Sequence, residues 1–153
     1  MAVEHKRYEI DIALPYRLSY GPTWTRFLNA LQEKQILATR CQKCERVLVP
    51  ARTFCPQCFV DTEEWLEVSQ EGKVVTWAVV NFEFYGQPQK PPYIPALIKL
   101  DGADVSMFHL IGGFDMSDID AVKKILPIGR RVQAVWSENR TGHVLDIMHF
   151  SPI

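Results

Sequence analysis

Apolar side chains fall at helical spacing near the start of this chain and at alternating positions through its second half. Trp24, Phe27, Leu28 and Leu31 stand at i, i+3, i+4 and i+7, while Arg26, Glu33 and Lys34 lie off that face. The spacing predicts a short helix over about Thr23 to Lys34. Pro22 suits its first turn, where a missing N–H costs little. Such a face either packs on the protein's own core or docks on a partner, and the pattern leaves both open. Ahead of it, Tyr8, Ile10 and Ile12 alternate with polar residues before breaks at Pro15 and Gly21-Pro22. Residues 1–21 therefore read as an extended arm.

After the helix, Ile36–Thr39 and Val47–Val49 predict two short strands. From Trp65 onward the pattern is β with one interruption. Gly72 opens a long run, Val74–Tyr85, with Val74, Ala78, Val80, Phe82 and Phe84 on one face and Val75, Trp77 and Val79 on the other. A strand apolar on both faces is covered on both sides or meets a partner. Ile94–Leu100 and Val105–Ile111 follow, joined through Asp101-Gly102, a strong hairpin signal. Gly112-Gly113 ends the third strand. Ser117, Asp118 and Asp120 suit the start of a helix over Ile119–Leu126, stopped by Pro127 and Gly129. Arg131–Ser137 and Val144–Phe150 complete the set, linked by Asn139–Gly142. Three strands, a helix and two strands is the order of the OB-fold, a five-stranded Greek-key barrel. The predicted fold is all-β with short helices, in three segments: an arm and helix over 1–35, a metal-binding ribbon over 36–64 and an OB-fold over 65–153.

The ribbon is read from the cysteines. Cys41/Cys44 and Cys55/Cys58 use all four cysteines of the chain in two C-x2-C pairs. Each pair can curl into a knuckle that points two sulfurs at one ion, and two facing knuckles complete a tetrahedral Cys₄ shell of the rubredoxin type. Structural Zn²⁺ is the expected occupant. A catalytic zinc would need an open coordination position, and a thioredoxin-type pair would need only one C-x2-C motif. Iron, with electron transfer as the function, uses the same ligand set. Rubredoxin knuckles usually carry glycine after the second cysteine, where this chain has Glu45 and Phe59. So small a module has too little apolar area to fold alone, so the metal supplies its folding energy.

Size and charge narrow the function. The chain has 153 residues, 47% of them apolar, enough for one core with a metal-stapled module. A formal net charge of −1 argues against nucleic acid and anionic membranes as general partners. No stretch approaches a membrane span and no export signal is evident, so a reducing cytoplasmic setting is expected.

Several motifs in this order carry a resemblance: Gly21-Pro22-Thr23 opening the helix, C-x2-C-x10-C-x2-C from Cys41 to Cys58, Gly72 to Trp77, Pro91 to Leu100, and Phe108-His109-Leu110-Ile111-Gly112. Over about residues 20–150 the chain resembles the acyl-CoA-associated zinc-ribbon/OB-fold proteins, formerly described as a domain of unknown function. In length and in its arm it is also similar to the small subunits of benzoylsuccinyl-CoA thiolases. The resemblance implies a non-catalytic accessory subunit of a thiolase-type acyl-CoA acyltransferase complex. Such a subunit stabilises a thiolase-fold catalytic partner and helps to form its site for CoA or acyl-CoA.

The residues agree that this chain supplies no nucleophile. Thiolysis needs a reactive cysteine, and all four are committed to metal. His109, His143 and His149 remain as acid–base candidates; the last two fall six apart on a predicted strand, with Asp146 on its other face, and no carboxylate pairing marks any of the three. Arg52, Lys90 and Tyr93 are the candidate CoA contacts: cations for phosphate oxygens and a ring for adenine. Arg40, Lys43 and Arg46 flank the ribbon as well. Trp24, Phe27 and Trp77 are the candidate partner interface. The reading from another class is a single-stranded nucleic-acid-binding module, since ribbons and OB-folds both serve that purpose.

Overall fold

The structure, a computed structural model, describes residues 15, 17–87 and 89–153. The predicted arm falls largely on residues 1–14 and 16, outside the described residues. Helix α1 spans Gly21–Gln32, with Pro22 in its first turn. Phe27, Leu28 and Leu31 are buried, so most of the apolar face packs on the chain's own core. The end of α1 is held from far away in sequence. Arg140 Nε donates to Gln32 O at 2.7 Å, and Gln70 Nε2 donates to Lys34 O at 2.7 Å. These bonds satisfy carbonyls that a helix terminus leaves open.

Strands β1 (Ile36–Arg40), β2 (Val47–Leu48) and β3 (Glu64–Val68) form an antiparallel sheet in the order β2-β1-β3. Sequence reading missed β3 as a separate strand. It pairs with β1 along its whole length, from Ile36↔Val68 to Arg40↔Glu64. The predicted boundary at residue 64 thus falls inside a strand of the ribbon's sheet.

Strands β4 (Glu71–Trp77), β5 (Ile94–Leu100), β6 (Met107–Ile111), β7 (Arg131–Trp136) and β8 (Ile147–Pro152) close a barrel in the order β4-β5-β6-β8-β7. Helix α2 (Ile119–Ile125) lies between β6 and β7 in the chain, as the OB-fold requires. Val74, Ile98, Leu100, Met107, Ile111, Val132, Ile147 and Phe150 fill the interior, and Val122 and Leu126 pack onto it. The close approach of β4 to β5 explains Gly72: a Cβ there would stand 2.8 Å from Leu100 Cα. The same continuous core includes Phe27, Leu31 and Ile36 of the helix–ribbon half.

The long apolar run is shorter and differently faced than its pattern suggests. A bulge between Val74 and Thr76 shifts the register by one residue, so the alternation breaks there. Val75 and Ala78 are exposed, β4 ends at Trp77, and among the described residues a single bridge, Val80↔Tyr93, continues beyond it. Phe82 and Phe84, expected on one face with Val74, are exposed, whereas Val74 is buried.

Candidate metal centre and surrounding surfaces

Two local turns of the same kind build the metal centre. In the first, Glu45 N–H donates to Cys41 O at 2.8 Å and Cys41 N–H to Arg46 O at 3.0 Å. In the second, Phe59 N–H donates to Cys55 O at 2.9 Å and Cys55 N–H to Val60 O at 2.8 Å. This turn forces the residue after the second cysteine into the left-handed region: φ is 59° at Glu45 and 54° at Phe59. Glycine would adopt that conformation without steric cost; Glu and Phe do not.

The four Sγ atoms lie within 4.8 Å of one another, and Cys44 Sγ is 3.8 Å from Cys55 Sγ. A tetrahedron with Zn–S bonds of about 2.3 Å has an edge of roughly 3.8 Å. The donor set and its spacing therefore fit a zinc ion with no position left open. Protonation within the cluster is uneven. Backbone N–H groups of Cys44 and, less, of Lys43 aim at the Cys41 sulfur and lower its pKa to about 7, against the effect of burial. The Cys44 sulfur, burial and the other two sulfurs push Cys58 up to about 12. Four thiolates cannot crowd together without a cation, and a divalent ion is what lets all four ionise.

Apolar packing around the sulfurs comes from both halves of the chain. Leu48 and Val60 of the ribbon and Val105 of the barrel surround them. Asp104 clasps the two together: its Oδ2 accepts from Val47 N–H at 2.8 Å, while its own N–H donates to Val47 O at 3.0 Å. Buried Thr39 and Thr62 both donate to Arg52 O, and Thr39 Oγ1 accepts from Arg52 N–H at 3.0 Å. The Arg52 backbone is thereby pinned while its side chain reaches solvent beside Trp24 and Phe54, along an open groove.

The remaining predicted residues divide. Lys90 is exposed on the β4–β5 loop, together with Phe84 and beside half-buried Gln87. Tyr93 is only 4% exposed, so it offers no face for an adenine, and its assignment as a CoA contact is corrected here. Phe27 has no exposed surface and belongs to the chain's own core, which removes it as a partner anchor. Trp77 is half-buried and donates from Nε1 to Leu126 O at 2.8 Å, tying the end of β4 to the end of α2. Trp24 keeps 39% of its surface, stacked on Tyr20. Of the ribbon cations, Arg46 donates to Gln57 Oε1 at 2.7 Å and Lys43 is exposed. Arg40 Nε lies 3.3 Å from Glu64 Oε1 but off the hydrogen-bonding direction.

Among the described residues no histidine forms an ion pair with a carboxylate that would make it a base. His109 is buried, its Nε2–H donating to Val144 O at 3.1 Å and its Nδ1 accepting from Leu110 N–H at 2.9 Å. Burial holds its pKa below the ordinary value, as it does for His149, which rests against Gly112. His143 and Asp146 are not strand residues, as the alternation suggested, but form the two halves of a capping box on a 3₁₀ turn, Val144–Asp146. Asp146 is buried and accepts from Thr141, Gly142 and His143 N–H.

With this geometry in view, likeness to known proteins becomes specific. Residues 28–64 match the model of the ChsH2 rubredoxin-like zinc ribbon domain, and residues 65–137 that of the ChsH2 C-terminal OB-fold domain. A DUF35 domain-containing scaffold protein of Methanocaldococcus jannaschii is 31% identical over 103 residues, covering 66% of this chain and 67% of that protein. The chain belongs to the DUF35 family. A scaffold protein of the same description from Pyrococcus furiosus is 36% identical over 92 residues, 56% of this chain and 63% of that one. The chain thus spans about two thirds of the length of these curated relatives. Among solved structures, a chain of the Ltp2-ChsH2(DUF35) aldolase aligns with a TM-score of 0.63 at 20% identity, over 89% of this chain and 98% of that one. A DUF35 protein from Sulfolobus solfataricus aligns with a TM-score of 0.59 at 21% identity, over 86% and 84%. Both share the fold.

Proposed function

We propose that this chain is a non-catalytic scaffold subunit of a thiolase-type acyl-CoA acyltransferase complex. Its role is to stabilise a thiolase-fold catalytic partner and to help form that partner's CoA site. The observation that carries this reading is the gathering of all four cysteines of the chain at one point. A thiolate in a closed Cys₄ shell is a poor nucleophile, so the acyl-carrying cysteine belongs to the partner. The histidines support the same view, since each described one is used for packing or capping. Scaffold relatives and the fold shared with a chain of an aldolase are consistent with it. Zinc here holds the ribbon's shape and takes no part in the reaction.

Arg52 and Lys90 are the cations proposed to meet CoA phosphates, and Trp24 is the proposed partner contact on the helix. The test is co-expression with a thiolase-fold subunit, sizing chromatography, and a thiolysis assay with each protein alone and together; benzoylsuccinyl-CoA is the first substrate to try. Co-elution with turnover only in the pair is the expected result. Separate elution, with the large subunit active alone, discards the reading and makes salt-dependent oligonucleotide binding the next measurement. Arg52→Glu and Lys90→Glu are expected to raise KM for the CoA substrate in the assembled complex; unchanged values remove both residues from the CoA site.

A further inference from the structure

Arg131 monopolises the carboxylates that would otherwise neutralise a row of cations on the barrel wall. Lys73 on β4 stands directly opposite Lys99 on β5 and Arg131 on β7. All three project outward, because Val74, Ile98, Leu100 and Val132 beside them are buried. Like charges at opposed positions, with Cβ atoms about 5 Å apart, destabilise a sheet. Glu71 and Asp101 lie two residues away on the same outer faces as Lys73 and Lys99. Yet Arg131 holds Asp101 at 2.8 and 2.6 Å through one nitrogen and Glu71 at 2.6 Å through another. Among the described residues no carboxylate forms an ion pair with Lys73 or Lys99. This row is not the by-product of a basic composition, since the chain carries a net charge of −1.

The ground beside the lysines is apolar. Val75, the residue left over at the β4 bulge, is 42% exposed, Leu97 is 36% exposed and Ile128 66%. Lys73, Lys99, Val75 and Ile128 line one open groove. An apolar centre with a charged rim is the anatomy of a protein–protein contact, and an unrelieved like-charge pair gains most from an anionic counterpart.

We propose that this β4–β5 wall is a docking surface for an apolar patch rimmed with carboxylates on the catalytic partner; the inference rests on the scaffold reading above. It is tested on the purified complex with the thiolase-fold subunit. Affinity is measured for the wild type, Lys73→Glu/Lys99→Glu and Lys73→Met/Lys99→Met at about 50 and 300 mM salt. Lysine acetylation is mapped by mass spectrometry in the free chain and in the complex. Charge reversal is expected to weaken binding about ten-fold or more, and the methionine pair to flatten its salt dependence. Lys73 and Lys99 are expected to be protected in the complex. The methionine pair removes the like-charge opposition, so its thermal midpoint should equal or exceed the wild type's, which separates lost docking from lost folding. A wild-type complex that forms normally, and whose affinity charge reversal changes less than about two-fold, overturns the docking surface and leaves the scaffold reading intact. So does a complex in which both lysines acetylate as fast as in the free chain. Absence of any wild-type complex overturns the scaffold reading itself, and the docking surface with it.

Discussion

Phe59 spends stability twice at one position: its backbone is left-handed and the residue is 82% exposed. The knuckle needs positive φ there, and a left-handed non-glycine residue costs about 1 kcal/mol. Phe59→Gly is therefore expected to stabilise the zinc-loaded chain by about 0.5–1 kcal/mol, read as a higher urea midpoint. His109 gives the residue scale a pH dependence. Its folded-state pKa lies below the ordinary 6.5, because burial disfavours the imidazolium and outweighs its hydrogen bonds. Below pH 6.5 the unfolded chain binds the proton more readily than the folded one, so stability is complete above that value and falls as the pH drops. His149 adds in the same direction. Urea midpoints between pH 7.5 and 5 should fall, and His109→Phe should flatten the slope; a slope unchanged by that substitution would sink the assignment.

At the scale of elements, two carboxylate clusters look alike on paper and should differ in weight. Asp146 is buried and satisfies three backbone N–H groups in the turn before β8. Asp146→Ala would leave those donors unpaired and is expected to cost about 3 kcal/mol or more, measured by chemical denaturation. Arg131, Glu71 and Asp101 have side chains 34%, 39% and 49% exposed, so solvent screens the cluster. Arg131→Met is expected to cost only about 1 kcal/mol, falling further at high salt. Neither cluster has a local sequence signature. Asp146 falls within an alternating pattern that suggested a strand, and Arg131 meets partners 30 and 60 residues away. Helix α1 illustrates the same limit: its face was legible from spacing, but not Arg140, which holds its last carbonyl from 108 residues along the chain.

For the whole molecule, the metal centre and the barrel share a core but not a source of stability. The two knuckles rest on four sulfurs and a few apolar side chains, whereas the barrel closes its own hydrogen-bonded ladder. Chelation is expected to remove hydrogen-exchange protection from β1, β2 and the two knuckles first, with β5 and β6 protected longest. Simultaneous loss in both would mean that the Asp104 clasp and the shared core make one cooperative unit. Either result bears on the scaffold role proposed above.

Local rules sufficed for much of this protein. Cysteine spacing determined the knuckles, because four residues are enough to close one, and the order of alternating runs determined the barrel's connectivity. The helix was set by its period and its proline. The tertiary structure alone decided which apolar surfaces are spent internally. A register shift of one residue at the β4 bulge sends Thr76 and Ala78 outward, and packing hides Phe27 and Tyr93 while leaving Phe59 and Phe82 in solvent. Pattern records that a side chain is apolar; only the folded neighbours determine whether it is already covered. The same holds for charge. Lys73 and Lys99 are 26 residues apart in sequence, and it is strand register that places them side by side and gives their carboxylates to Arg131.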